Sequence, residues 1–330
     1  MANRVYSNDV NQVALFYESG TYAVASGAAF WPGLLASHDI DEKTNIIPLR
    51  FIGNGQRQVG QYVDASQDFT GKLSFNPQNF RSLYFALGSM TDGGSPSPYT
   101  HTYRESAGTD SAPETGEPLP TFQVEDVGKF VTGSNFVRTL KGCVCDKWNL
   151  SVKEGEPAQV EIDYIAQTSL FTSGAASSVT ADTTRPFMWS DTVVHLPSGT
   201  RMDEVTQLDL SINNGVKTFH YLNGSRVIGP PQATARDYEL IIAAQATPNW
   251  TKTLYEQYYM GGSSFNMVFS LQPSAGSRTV AVTASGCRLV DFDGPSKETE
   301  TREMSLTIKP QNLSIVEDSL DQYFHAGSYV

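Results

Sequence analysis

The sequence predicts a mainly β fold of the sandwich or barrel type, written twice in one chain, with one flanking helix per domain. Three observations predict it. Long stretches alternate apolar and polar residues with a period of two, as half-buried strands do. Four short blocks occur twice in the same order. Each set contains a single stretch with helix punctuation at both ends.

The blocks come first in the argument, because a missed repeat misassigns a whole fold. "NGQRQVGQYVDASQDF" and "NGSRVIGPPQATARDY" align without a gap: Asn54, Arg57, Gly60 and Asp68 match Asn223, Arg226, Gly229 and Asp237. "NPQNFRSLYFALG" from Asn76 is followed in the second copy by "TPNWTKTLYEQYYMGG" from Thr247. Phe122 in "PTFQVED" then matches Phe265 in "SSFNMVF", and "GCVCDKW" from Gly142 matches "GCRLVDF" from Gly286. One such pair arises easily by chance and four in order rarely. The reading is a first domain over 1–171, a small-residue, Gly/Ser/Thr-rich linker over 172–184, and a second domain over 185–330.

The strands follow from alternation. Trp148, Leu150 and Val152 share one face while Asn149, Ser151 and Lys153 share the other. The sequence "EGEP" turns the chain, and Val160, Ile162 and Tyr164 resume the pattern. Leu208, Leu210 and Ile212, and then "REMSLTI" from Arg302, repeat it in the second half. For the helices, Asn76 and Thr247 suit N-caps, Pro77 and Pro248 suit the first helical position, and Gly88 and Gly261 suit the residue past the end. Phe80, Leu83, Tyr84 and Leu87 form one apolar stripe, and Trp250, Leu254 and Tyr258 the other. Residues 91–120 are not duplicated; their counterpart is only "GGSS". A loop of this length is usually functional or disordered, and Tyr99, His101 and Tyr103 point to an ordered part.

Composition excludes several classes. Formal net charge is −12. It is −7 up to Leu170 (19 acidic, 12 basic) and −5 beyond (16 acidic, 11 basic). That balance argues against tight binding of nucleic-acid phosphates. The cysteines are Cys143, Cys145 and Cys287, too few for a disulfide framework. The start lacks a signal-peptide pattern, and no apolar run reaches the ~18 residues of a membrane span. The expectation is a soluble protein made in a cytoplasm. No catalytic or nucleotide-binding motif is present. His38, His101, His195, His220 and His325 are scattered. The Cys143 and Cys145 thiols have no second pair to complete a zinc site, and "DFDG" from Asp291 lacks the spacing of a calcium loop. The expectation is therefore no enzyme, no cofactor and no metal.

The run "GNGQRQVGQYVDASQDFTGKLSF…FRSLYFALGSM", then "YTHTYRE…LPTFQVED", then "LKGCVCDKWNLSVKEGEPAQVEIDYIA" resembles the tail tube proteins, or major tail proteins, of long-tailed bacteriophages and tailed archaeal viruses. The resemblance covers roughly Tyr22 to Gln167 and more weakly the second copy. It implies tube domains of two packed sheets with a helix, six to a ring, and rings stacked into a hollow tube that carries the genome. A duplicated chain would then supply two domains, giving a trimeric pseudo-sixfold ring of alternating units. The resemblance also implies neighbouring edges pairing around a polar, net acidic lumen, through which viral DNA passes without tight binding.

The partners it implies are further copies of the chain and the tail terminator, tape measure and baseplate proteins. The location it implies is the virion tail, after synthesis in the host cytoplasm. Glu154, Glu156, Glu161 and Asp163 are the candidate lumen or inter-subunit carboxylates. Tyr99, His101, Tyr103, Arg104 and Glu105 are the candidate inter-ring loop residues. The C-terminal "SLDQYFHAGSYV" reads as a short arm packing on a neighbour. The competing reading is another virion β-protein, such as a capsid decoration, baseplate or adhesion module, which would not need the two-copy order of blocks.

Overall fold

Apolar residues at every second position demand a sheet covered on one face, and the chain builds one that runs through both halves. The computed structural model describes residues 11–18, 29–49, 61–93, 98–105, 119–128, 135–222, 225–273, 278–294 and 303–319, and of residues 11 and 248–250 only the backbone. Asn54, Arg57, Gly60, Asn223, His325, the Trp250 side chain, residues 106–118 of the long loop and residues 320–330 lie outside the described residues.

The first half contains β1 (Asn11–Tyr17), β2 (Gly33–Leu49), β3 (Gln61–Pro77), α1 (Leu83–Leu87), β4 (Gly88–Gly93), β5 (Tyr99–Glu105), β6 (Phe122–Gly128), β7 (Asn135–Lys153), β8 (Gln159–Ala166) and β9 (Thr168–Gly174). The second contains β10 (Thr192–His195), β11 (Val205–Asn213), β12 (Asp237–Gln245), α2 (Pro248–Thr253) with a π-helical continuation over Leu254–Met260, β13 (Phe265–Leu271), β14 (Thr279–Asp293), β15 (Glu303–Lys309) and β16 (Asn312–Ser319).

One sheet has the order β2-β3-β8-β7-β11-β12-β15-β14, with every neighbouring pair antiparallel. Its covered face carries the alternating apolar residues in register. Phe75, Val160, Leu150, Leu210, Leu240, Ile308 and Leu289 form one row across seven strands, all buried. The row crosses from first half to second between β7 and β11 without a break.

A second layer covers this face. In the first half it is β1-β6-β7-β9, and in the second β10-β13-β14-β16-β5-β4. The long strands β7 and β14 belong to both layers. Each bends at a glycine in the left-handed region, Gly142 (φ 62°) and Gly286 (φ 63°), where a side chain would be strained. The two bends share their surroundings. Phe122 lies opposite Cys143, and Phe265 opposite Cys287, each with a register shift just after the phenylalanine. Gln167 N donates to Lys141 O, and Gln311 N to Ser285 O, both at 3.0 Å. The pairing with the next strand slips by one residue at Asp146 in β7 and at Val290 in β14.

Between the layers lies an aromatic core. Phe85 stacks on Phe122 at 4.4 Å, Phe122 meets Tyr164 edge-on at 5.7 Å, and Phe80 packs against Trp148 and Phe187.

The helices depart from their expected ends. Asn76 and Pro77 are not a helix start: they finish β3, opposite Leu34 and Gly33. Strand pairing holds them extended, and the chain then tightens through i→i+3 bonds from Phe80 O to Leu83 N and from Arg81 O to Tyr84 N. The α1 helix proper has five residues and no flanking position. Leu83, Phe85, Ala86 and Leu87 are all buried, so α1 is part of the core. Gly88 (φ 95°) closes it as expected, its N–H bonding to Tyr84 O. In the second half α2 does begin at Pro248, but the left-handed residue is Gly262 (φ 60°) and not Gly261 (φ −76°). The wider π-helical turn, with Gly261 N reaching Glu256 O, inserts one residue before the stop.

The expected linker is less separate than its composition suggests. Residues 172–174 belong to β9. Beyond them, Ser177 is held by Glu125 through both its N–H and its hydroxyl, at 2.8 Å each. Gln78 Nε2 donates to Asp182 O at 2.9 Å. The halves also interleave: the hairpin β4–β5 of the first half completes the outer sheet of the second by pairing with β16.

Candidate interaction surfaces

The uncovered face of the through-running sheet is mostly polar, with Ile165 and the exposed Ile241 among its outward residues. Lys72, Asp163, Lys147, Asn213 and Asp237 form one row across it, and Ser74, Glu161, Asn149, Ser211 and Glu239 the next. Lys72 Nζ contacts Glu161 Oε1 at 2.5 Å, and Lys309 Nζ bridges Asp237 at 2.6 Å and Glu239 at 3.1 Å. Partial burial raises the Asp163 pKa, against the opposing pull of Lys72. Such a face presents interleaved charge, and it holds one open recess of about 430 Å³ lined by Asp39, Asp41, Lys72, Asp146 and Asp163.

The four candidate carboxylates are not one group. Glu161 and Asp163 sit on this face, two residues apart on β8. Glu154 and Glu156 are exposed in the β7–β8 turn at one rim of the sheet, flanking Gly155 (φ 81°).

The candidate loop residues divide as well. Alternation in "YTHTY" turns His101 and Tyr103 into the protein, and both are fully buried. His101 Nδ1 lies 2.6 Å from Asp92 Oδ1, and its Nε2 lies 2.9 Å from Ser319 Oγ. The Tyr103 hydroxyl donates to Glu317 Oε2 at 2.9 Å, and Phe80 N donates to the same buried carboxylate. These two side chains fasten the β4–β5 hairpin to β16 of their own chain. Tyr99 is half-buried, and Arg104 and Glu105 are exposed. Arg236 reaches Glu105 at 3.2 Å. Glu317 and Ser319 escaped the sequence reading because their partners are more than two hundred residues away. The only local signal was a glutamate at an inward position of an alternating strand, two residues after Ile315.

Two edges of the through-running sheet are open among the described residues: the outer edge of β2 and the stretch Arg288–Asp293 of β14, which pairs only with β15. β2 and β3 also extend past β8, whose pairing with β3 ends at Phe69. The resulting ribbon exposes Ile46, Ile47, Leu49, Tyr62 and Val63. At the same rim, the segment between β11 and β12 exposes Phe219, Tyr221 and Leu222. Arg226 links the two tips, contacting Asp64 at 3.2 Å and the Ala65 carbonyl at 3.1 Å.

Other groups are built into the interior. His38 Nε2 lies 2.7 Å from the Tyr164 hydroxyl, and burial, reinforced by Arg138, lowers its pKa to about 4. All three cysteines are buried with free thiols, and burial raises each pKa. Among the described residues no three His, Cys, Asp or Glu side chains converge as a metal site. No helix among them is long and apolar enough to cross a membrane.

Polar face, apolar covered face and open edges define a structural β subunit. The family comparison makes the class specific. The model of the phage tail tube protein family matches residues 11–311, and the chain belongs to that family. It is a structural component of the virion tail, of a kind that self-assembles into a tube, and not an enzyme. No curated protein matches the chain.

Proposed function

We propose that the chain is a double tube subunit, three copies of which close a pseudo-sixfold ring around the passage for viral DNA. One observation carries this reading: the four strands β2-β3-β8-β7 and the four strands β11-β12-β15-β14 sit side by side in one sheet, in the same order and directions. The shared bends at Gly142 and Gly286 and the matching Phe–Cys registers support treating the halves as copies of one unit.

The seam between β7 and β11 is then the template for the contact between chains. There Lys147 faces Asn213 and Trp148 faces Ile212. Carried over by the equivalent registers of β2–β3 and β14–β15, the open edge of β14 meets β2 of the next chain with Asp291 opposite Lys43 and Phe292 opposite Glu42. Joining the edges satisfies their free backbone groups and leaves no edge open to wrong pairing. Eight strands from each of three chains close a barrel wide enough for a channel.

The polar sheet face lines that channel, with Glu161 and Asp163 among its carboxylates. Weak repulsion from a net acidic wall lets DNA pass without being held. On β5, half-buried Tyr99 and exposed Arg104 and Glu105 lie toward neighbouring copies. Tail terminator, tape measure and baseplate proteins are the further partners this role calls for.

The test is electron microscopy of the purified chain, with rotational averaging of end-on views, alongside native mass spectrometry. Rings of three chains with six similar lobes are expected. Rings of six chains would keep the tube and remove the trimer. A disulfide formed by Lys43→Cys with Asp291→Cys, but not by Asp39→Cys with Asp291→Cys, checks the register.

A further inference from the structure

We infer that the C-terminal segment of one copy, residues 320–330, adds as a strand to the open edge of β9 in the next copy around the ring. The inference rests on the ring proposed above and deepens it by naming a partner for an outer-layer edge that the sheet seam leaves unpaired.

The two halves part company at that edge. β8 and β9 pair along the same side of β7 in one continuous register, Val144 with Ile165 and Lys141 with Thr168. β15 and β16 do the same along β14, Arg288 with Lys309 and Ser285 with Asn312. Counted from the matched bends at Gly142 and Gly286, β9 is the counterpart of β16. The far edge of β16 is covered by the β4–β5 hairpin, which the first half supplies. The second half has no such hairpin, because "GGSS" leads from its helix almost directly into β13. Among the described residues β9 pairs only with β7.

The side chains record the difference. Arg138 faces Phe171, and Val282, in the matching place before its bend, faces Ile315. Ile315 has Tyr103 of the hairpin opposite it and is fully buried, whereas Phe171 is 48% exposed. Leu170, on the other face of the same strand, is equally exposed. Phe136 and Arg138 pack on the Phe171 ring at 5.1 and 4.9 Å and still leave it half in water. An unpaired edge with apolar side chains on both faces is a template for one more strand.

Reach and composition select the C-terminal segment. β16 ends at Ser319, at the same end of the outer layer as Gly174, since Asp318 and Gly174 pair with the matched residues Thr279 and Asn135. In the ring, the place beside β9 of the next copy lies past β14, β13, β10 and one further strand width. That is about five strand spacings, ~24 Å at ~4.8 Å each. Residues 320–330, extended, span ~36 Å at ~3.3 Å each, which leaves about three or four residues to pair. The same place in the segment's own chain lies about seven spacings off in the other direction, ~34 Å, and leaves almost nothing to pair. A segment that enters at Gly174 and runs toward Thr168 is antiparallel to β9, as β5 is to β16. Its sequence, "LDQYFHAGSYV", carries Tyr323, Phe324, Tyr329 and Val330, residue types that favour strands and can cover Phe171 and Leu170.

A photo-crosslinking amino acid in place of Phe171, in rings assembled from light and nitrogen-15-labelled chains, reads the contact. Adducts between chains at residues 320–330 are expected. Adducts to residues 320–330 of the same chain, adducts only to other segments, or no adducts in intact rings overturn the inference and leave the ring standing.

A chain ending at Ser319 gives a second readout, because it keeps all of β16. Circular dichroism should show the parent fold. Its rings should dissociate on dilution at a concentration about tenfold higher, the equivalent of one buried apolar side chain per contact. Unchanged dissociation also overturns the inference. A parent chain that forms no rings removes the ring reading, and this one with it.

Discussion

Leu150 on β7 and Leu210 on β11 lie directly opposite one another, both 1% exposed, at the seam where the first half of the chain meets the second. The apolar row through them is continuous from Phe75 to Leu289. The two halves therefore share one core and one sheet.

Shared burial sets the first prediction. Leu210→Ala removes a fully buried side chain from the seam and should cost about 2–5 kcal/mol. Urea unfolding followed by tryptophan fluorescence and by circular dichroism should give one coincident transition, shifted to lower denaturant. Two separate transitions would show that the halves fold independently.

The bends give the second. Gly286→Ala places a Cβ in the left-handed region and 2.5 Å from Gln311 Oε1. It should lower stability by at least ~1–2 kcal/mol, from the backbone alone. Gly142→Ala should carry the same backbone cost, because its φ is within a degree of that of Gly286. The midpoint of urea unfolding should fall with little change in slope.

Acid sensitivity follows from His38. Burial holds its folded pKa at about 4 against an ordinary 6.5, so the unfolded chain binds the extra proton first as pH falls. Stability is full above pH 6.5 and declines between 6.5 and about 4, by about 3 kcal/mol at most. Burial raises the pKa of Asp126, 3.8 Å from His38, and gives the opposite slope from its ordinary 3.8 upward, offsetting part of the His38 decline at the acid end. His38→Gln should flatten the decline in thermal midpoints measured from pH 7 to 4.5.

The polar face yields a functional test. Tubes carrying Glu161→Lys and Asp163→Lys should retain short duplex DNA at low salt, and parent tubes should not, read by co-sedimentation. Retention should fall steeply with added salt, as counterion release requires. Equal behaviour of both tubes would place this face outside the channel.

Thiol chemistry tests the core. Cys287 is buried and its pKa is pushed up to about 11, and Cys143 and Cys145 lie in the bend of β7. None should react with a thiol reagent at pH 8 until denaturant is added. Rapid labelling of one thiol in the native chain would place it at the surface.

Much of this was legible because strand and turn signals are local. Alternation from Trp148 to Tyr164 and from Leu208 to Ile212 named the inward residues, since side-chain direction along a strand has a period of two. Gly142 and Gly286 stood in matched blocks because a left-handed bend admits little else. Asn76 misled for a physical reason: a cap signal before a proline is local, while pairing with β2 is not, and the non-local hydrogen bonds held the residue in β3. The same limit hid the fate of Tyr99–Glu105, whose alternation was readable but whose partner strand β16 lies more than two hundred residues on.

The amino-acid sequence by itself determined the strands, their inward faces, the repeated blocks and the acidic balance, all set by neighbours a few residues apart. Only the tertiary structure decided that β7 joins β11, that the β4–β5 hairpin crosses to the second half, and that Glu161 and Glu154 part company between face and rim. Those choices rest on burial and backbone pairing between distant segments, which no local spacing encodes.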